Sequence, residues 1–377
     1  MISSAGPLRI AVDARCLSAD TVGIGRYTSS LLHKLLKTSH GDEIIWFLYS
    51  HQPLKISFES YPNVHVKSLQ LKGGMLSTSV AQLFFPLWAI RDKVNFFWSP
   101  RHHLPLLLPK SIYKILTIHD FVWKNAPKTM RLTGRILETL LMPLSIRLAD
   151  KIISVSDSTH KQMRSYYPGE YAKSRLIFQG ISQPSHCNIV SISNREENYE
   201  FLFVGTLEPR KNLPRLLSAY KRVVASDIKS TLLIVGGNGW GNESIAELVK
   251  EFSLEDRVKI YGYVSDEKLF ELYQRSYVLV MPSLYEGFGL PLLEAMQFGV
   301  PVITSKVSSM PEVAGAGGIL VDPFSVDEIA DAMIRLISDR DLRDALGQQA
   351  LEHCKKFSWD KAADETLALF YECIIEN

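Results

Sequence analysis

Apolar positions along this chain fall into two successive series of short runs, each run followed by a helical or loop stretch. The first series opens with Leu8 to Ala14, which reads as a buried strand around Ile10, Ala11 and Val12, and Ile24 to Leu36 follow with apolar residues three and four apart. A buried strand feeding a turn and an amphipathic helix is the opening of an α/β layer. The alternation continues through IIWFLYS from Ile44, VNFFWS from Val94, YKILTIH from Tyr113 and KIISVS from Lys151. That rhythm predicts a parallel sheet. From Gln179 to Glu200 it fails: the stretch is polar, contains Pro184 and has no periodic apolar face, so it reads as a linker. A second series then starts, with FLFVG from Phe201, TLLIVGG from Thr231, VKIYGYV from Val258, YVLVMPS from Tyr277 and PVITS from Pro301. Two successive Rossmann-like α/β domains are expected. The terminal SWDKAADETLALFYECII reads as an amphipathic helix.

Length agrees, because 377 residues exceed what one hydrophobic core usually organises. Charge narrows the partners. The 42 Lys and Arg nearly cancel 40 Asp and Glu, without the basic excess of a nucleic-acid binder, so no nucleic-acid partner is expected. Cys16, Cys187, Cys354 and Cys373 are scattered, with neither zinc-like pairing nor the density of a disulfide framework, which fits a reducing cytoplasm. The start MISSAGPLRIAV lacks the pattern of a signal peptide, and the longest apolar run, Leu83 to Ile90, is broken by Pro86 and too short to span a bilayer.

The densest chemistry lies in PSLYEGFGLPLLEAMQFGVPV, Pro282 to Val302. A strand ends there and a helix begins, with Pro291 suited to the first helical position and Gly299 and Pro301 to the stop. Gly287 and Gly289 leave the backbone uncrowded, so the N–H groups around Phe288, Gly289 and Leu290 can face a ligand at the positive helix end. Glu286 precedes the helix and Glu294 lies about one turn inside it. Helical side chains tilt toward the N-terminus, so both carboxylates can address one cleft and chelate hydroxyl pairs. An ordinary helix start whose glutamates complement the dipole is the competing reading of such a pair.

The run FLFVGTLEPRKN places Gly205 at the end of a strand and Arg210 and Lys211 in the turn before a helix. Strand-to-helix turns are where α/β domains bind ligands. Fixed cations aimed at a departing diphosphate act in the transition state, and such a pair can replace a divalent metal. No His-rich cluster of metal-ligand spacing is present, so neither metal nor cofactor is expected.

EGFGLPLLE resembles the paired-glutamate motif of glycosyltransferase family 4, and GTLEPRKN resembles the diphosphate-binding segment of that family. Within it the chain is most similar to a subgroup that includes O-antigen mannosyltransferases. Further similar stretches are TVGIGRYTSSLL, IHDF, SVSDS, GYVSDEKL, SSMPEVAG and the final FSW, so the resemblance covers nearly the whole chain. It implies the GT-B fold, two Rossmann-like domains with parallel sheets facing across a deep cleft. The N-terminal acceptor domain would comprise residues 1–180 plus 359–377, and the nucleotide-sugar domain residues 181–358. It implies a retaining, metal-independent hexosyltransferase of cell-surface polysaccharide synthesis, with GDP-mannose as donor and a glycan or lipid-linked acceptor. Arg210 and Lys211 would hold the diphosphate, Glu286 the sugar hydroxyls and Glu294 the ribose diol. Gly205, Tyr263, Val264, Gly287, Phe288, Gly289 and Leu290 would complete the donor site.

In the first domain, Gly23 and Gly25 of VGIGRYT either form a tight turn or let the backbone approach a phosphate or sugar. The family resemblance favours a donor loop. The resemblance also implies that His119 contacts the donor sugar and that Asp120 orients it or touches acceptor, although a merely satisfied buried histidine is the commoner fate of a lone His. Arg101, His102 and His103 follow a strand but match the family loosely. LFFPLW and RILETLLMPLSIRL, with Arg131, Arg135 and Arg147, suit either core packing or a peripheral seat on the inner face of a membrane. Two other readings stay open: transfer from a UDP- or dTDP-sugar, and a nucleotide-sugar 2-epimerase of the same fold, which needs no acceptor.

Overall fold

The computed structural model describes residues 6–19, 23–38, 44–70, 74–181, 199–241 and 244–375. The linker expected at 179–200 and Cys187 lie largely outside them. The chain divides into two compact units, one of Met1–Phe121, Leu132–Gly180 and Ser358–Asn377, the other of Val122–Arg131 and Ile181–Phe357. The expected division, 1–180 with 359–377 against 181–358, differs from this by one residue at Ser358 and at Val122–Arg131. That segment groups with the second unit, where the Asn125 amide donates to the Tyr285 hydroxyl at 3.3 Å.

In the first unit, β1 (Leu8–Asp13), β2 (Ile44–Ser50), β3 (Val64–Ser68), β4 (Phe96–Ser99), β5 (Tyr113–Ile118), β6 (Lys151–Ser154) and β7 (Ser174–Leu176) form one sheet in the order β3-β2-β1-β4-β5-β6-β7. Every pairing is parallel. The order reverses between β1 and β4, the switch point at which a doubly wound sheet opens a crevice at its carboxyl edge. Central strands are mostly apolar because helices cover both faces. Helix Ile24–Thr38 buries Tyr27, Leu31 and Leu35, and the terminal helix Trp359–Ile375 packs beside it. Phe370 of that last helix meets Trp46 and Phe96 edge-on, at 6.3 and 5.3 Å between ring centres. A side chain at Gly180 would collide with the backbone of Trp359, so the chain can pass there only as glycine.

In the second unit, β8 (Tyr199–Val204), β9 (Ser230–Val235), β10 (Val258–Gly262), β11 (Val278–Met281), β12 (Val302–Ser305) and β13 (Gly318–Val321) are ordered β10-β9-β8-β11-β12-β13, again all parallel. Its switch point lies between β8 and β11. Helix Leu213–Ala225 buries Leu216, Tyr220 and Val223 against Phe201, Phe203 and Leu232. The expected strands are all present. Three further strands, β3, β7 and β13, have no counterpart in the sequence pattern. Each is short, stands at a sheet edge and is partly exposed; β3 and β7 lack an apolar run, and that of β13 is only Ile319 to Val321.

Candidate functional site

The loops after β8 and β11, on either side of the second switch point, bring Arg210, Lys211 and Glu286 into contact. Arg210 and Lys211 occupy a short 3-10 turn, Pro209–Lys211, fixed because Asn212 adopts a left-handed conformation (φ 63°). The Asn212 amide donates to the carbonyls of Pro282 at 2.9 Å and Pro323 at 2.7 Å, which ties the turn to the loops after β11 and β13. The main-chain N–H of Leu284 donates to the Arg210 carbonyl at 2.8 Å. On this frame, Lys211 Nζ donates to Glu286 Oε1 at 2.7 Å and Arg210 Nη1 to Glu286 Oε2 at 2.5 Å. Arg210 Nη2 reaches Glu208 at 2.6 Å.

Glu286 and Lys211 are 6% and 7% exposed, so the pair stands in a low-dielectric setting. Burial alone would raise the carboxyl group's pKa, yet Arg210 and Lys211 outweigh it and hold Glu286 down at about 2. It is a carboxylate at any physiological pH. Its loop is pinned from the far side: Ser308 Oγ accepts from the Glu286 N–H at 3.0 Å, and Ser309 Oγ donates to the carbonyls of Glu286 and Phe288 at 3.0 and 2.8 Å. Gly205 ends β8 with φ 156°, and a Cβ there would stand 3.1 Å from Lys211 Cε. The glycine makes room for the lysine.

The helix after Glu286 runs Leu290–Met296, with Gly289 as its N-terminal flank at φ 108° and Pro291 in the first turn. Phe288 is buried edge-on against Phe357. Glu294 is buried and accepts from the Tyr273 hydroxyl at 2.8 Å. Gly287 and Leu290 are half-buried between these fixed points. Beyond β10, Tyr263 is exposed and Val264 half-buried.

In the first unit, Gly23 turns at φ 53° into helix Ile24–Thr38, and Gly25 is buried in its first turn. Tyr27, one turn on, meets the His119 ring edge-on at 4.8 Å. His119 and Asp120 follow β5. His119 is buried, and Nε2–H donates to the Pro100 carbonyl at 2.9 Å. Burial, with His102 close by, pushes its pKa down to about 3, so the ring is neutral and Nδ1 carries the lone pair. Asp120 is half-buried.

Sequence reasoning missed the group behind this turn. Glu138, one acid in the otherwise apolar RILETLLMPLSIRL, turns inward and its Oε2 lies 3.3 Å from His102 Nδ1 and 3.2 Å from His103 Nε2. The His119 main-chain N–H donates to His102 Nε2 at 3.1 Å, so this group props the His119–Asp120 turn. In the second unit the parts overlooked were Asn212, Tyr273 and Ser309, whose roles depend on partners distant in the chain.

Residues 188–353 match the family model described as glycosyl transferases group 1. Among curated proteins, the O-antigen chain mannosyltransferase B of Escherichia coli is 30% identical over 374 residues, covering 92% of this chain and 94% of that protein. Among solved structures, sucrose-phosphate synthase from Thermosynechococcus elongatus superposes with a TM-score of 0.76 at 22% identity, over 98% of this chain and 100% of its own. Anabaena HepE, solved with UDP and glucose, gives 0.74 at 18% identity, over 97% and 100%. These likenesses agree with the two parallel-sheet units. The chain thus belongs to the group 1 glycosyl transferases and is a glycosyltransferase of the GT-B fold.

Proposed function

We propose that this enzyme is a retaining, metal-independent hexosyltransferase that moves a sugar from a nucleoside diphosphate donor to a glycan or lipid-linked saccharide in the cytoplasm. The observation that carries the reading is Glu286, buried and fully ionised, bridging Arg210 and Lys211 at the switch point of the second sheet. Two cations and one acid held so closely suit a ligand with an anionic end and a hydroxyl-bearing end. The cations take the diphosphate, and Glu286 takes sugar hydroxyls by charge-assisted hydrogen bonds. Glu294, oriented by Tyr273, takes the ribose diol, and the N–H groups of Phe288, Gly289 and Leu290 face the phosphates.

As the bond from the anomeric carbon to the phosphate oxygen breaks, negative charge grows on the diphosphate, where Arg210 and Lys211 stabilise it. The acceptor oxygen bonds to the same face of that carbon, and its proton passes to the departing phosphate oxygen. Neutral His119, with Nδ1 able to accept from a hydroxyl, contacts the donor sugar, and Asp120 orients that contact. Gly23 and Gly25 let the backbone approach the donor.

The transferred sugar is proposed to be mannose, supported by the full-length mannosyltransferase relative. The base is the more open half of the donor. Guanine follows only from the resemblance to the mannosyltransferase subgroup, whereas HepE was solved with UDP, which lends support to a UDP-sugar. Melting in EDTA with GDP, UDP, dTDP or ADP separates the readings. The cognate nucleotide at about 100 times its dissociation constant adds roughly 2.7 kcal/mol, a rise on the order of 5–10 °C for a domain of this size. No rise with any of the four would refute the nucleotide site. Incubating the sugar donor without acceptor then distinguishes an epimerase, which converts it, from a transferase, which leaves the sugar unaltered apart from slow hydrolysis.

Gly205→Ala checks the lysine's placement. Its backbone strain is expected to cost roughly 1–3 kcal/mol of stability, and the new methyl group crowds Lys211, weakening nucleoside diphosphate binding in calorimetry. Unaltered affinity would detach Lys211 from the diphosphate.

A further inference from the structure

Two helices of the first unit expose apolar rows that nothing among the described residues covers. On helix Leu132–Leu148, Leu132, Ile136, Leu140, Leu144 and Leu148 recur every fourth residue, and all five are exposed, Leu132 and Leu140 by 68% and 61%. On helix Gly74–Arg91, Leu83, Phe84, Leu87 and Ile90, at three- and four-residue spacing, are likewise exposed, Leu87 by 62%. An amphipathic helix of a water-facing surface carries polar residues at such positions. The two rows belong to one patch. Gln82 of the earlier helix donates to the Leu104 carbonyl and accepts from the Leu106 N–H, while Ser145 of the later helix accepts from the Leu104 N–H. The loop held from both sides carries Leu107, 70% exposed, between the rows.

Charge selects the occupant. Exposed positions on the two helices carry Arg91, Arg135 and Arg147 and no acid, and Lys110 is exposed near Leu107. Helix Gly74–Arg91 contains no acid at all, and the single acid of helix Leu132–Leu148, Glu138, faces inward to His102 and His103. A second copy docking through this face would set arginines against arginines, which disfavours a symmetric dimer. An anionic bilayer suits both features, since apolar side chains enter the acyl boundary while arginines meet headgroup phosphates. Among the described residues no helix is long and apolar enough to cross a membrane, so contact through this patch is by surface seating.

We propose that the patch formed by helices Gly74–Arg91 and Leu132–Leu148 is a docking surface for an anionic lipid bilayer. It requires neither a particular donor nor turnover.

Flotation of the full chain with vesicles tests it. The protein is expected to rise with mixed phosphatidylcholine and phosphatidylglycerol vesicles, at least about tenfold more strongly than with phosphatidylcholine alone, and to be released by high salt. A variant with both Ile136→Asp and Leu140→Asp should lose flotation while keeping its melting temperature and its response to nucleoside diphosphates. A variant with both Arg135→Glu and Arg147→Glu should lose the preference for the anionic vesicles. Flotation of the aspartate variant equal to that of the unaltered protein would overturn the proposal. So would light scattering that finds a dimer, converted to monomer by the same substitutions, with no vesicle binding.

Discussion

Lys211→Ala is expected to lower the rate of sugar transfer by at least about 10³-fold, or about 4 kcal/mol of transition-state stabilisation. Lys211 is the more buried of the two cations on Glu286, and its Nζ lies 2.7 Å from the carboxylate. A cation screened from water and held before the reaction begins needs no reorganisation when charge develops on the leaving diphosphate. The fold should survive, because Arg210 still donates to Glu286 and the Asn212 amide still ties the turn to Pro282 and Pro323. Single-turnover kinetics together with a melting curve check both halves. Near-normal turnover in a folded variant would show that the diphosphate is stabilised elsewhere. Lys211→Arg should recover little, since a planar fork does not fit the space that Gly205 leaves for a narrow alkyl chain.

Glu286→Gln is expected to remove both activity and stability, and its dependence on pH separates the two. The carboxyl group sits at about 2 in the folded protein against an ordinary 4.5. A depressed folded-state value stabilises above the unfolded pKa, and that stability is lost as pH falls from about 4.5 toward 2. At neutral pH the difference is worth roughly 3 kcal/mol. The glutamine variant should therefore melt roughly 6–12 °C lower at pH 7, converge with the unaltered protein in acid, and lose the corresponding part of the acid limb. Two cations without their carboxylate should also welcome a phosphate anion. Nucleoside diphosphate is accordingly expected to raise the variant's melting temperature more than that of the unaltered protein, although transfer is lost for want of the sugar contact. Equal melting temperatures of the two proteins at pH 7 would contradict the buried ion-pair account.

The legible parts of the site were those whose chemistry is local. EGFGLPLLE sets its own helix start, with Gly289 as flank and Pro291 in the first turn, because φ preferences and a missing N–H act within a few residues. Arg210 and Lys211 could be placed at a strand-to-helix turn for the same reason. Their meeting with Glu286 could not, since 75 residues separate Lys211 from it and only the order β8-β11 closes that distance. Glu138 was illegible in another way. Nothing local in its sequence marks it, and only the packed structure shows it turned toward His102 and His103 behind the His119–Asp120 turn.

By itself, then, the sequence determined the α/β class, the two series of strands and the segments that carry chemistry, because burial patterns and turn residues act over one element at a time. Tertiary structure decided the edge strands β3, β7 and β13, the grouping of Val122–Arg131 with the second unit, and which charges pair. It also decided that Leu132, Ile136, Leu140, Leu144 and Leu148 remain exposed. An apolar stripe at helical spacing looks the same whether it faces a core or a membrane, and only the elements packed around it distinguish the two.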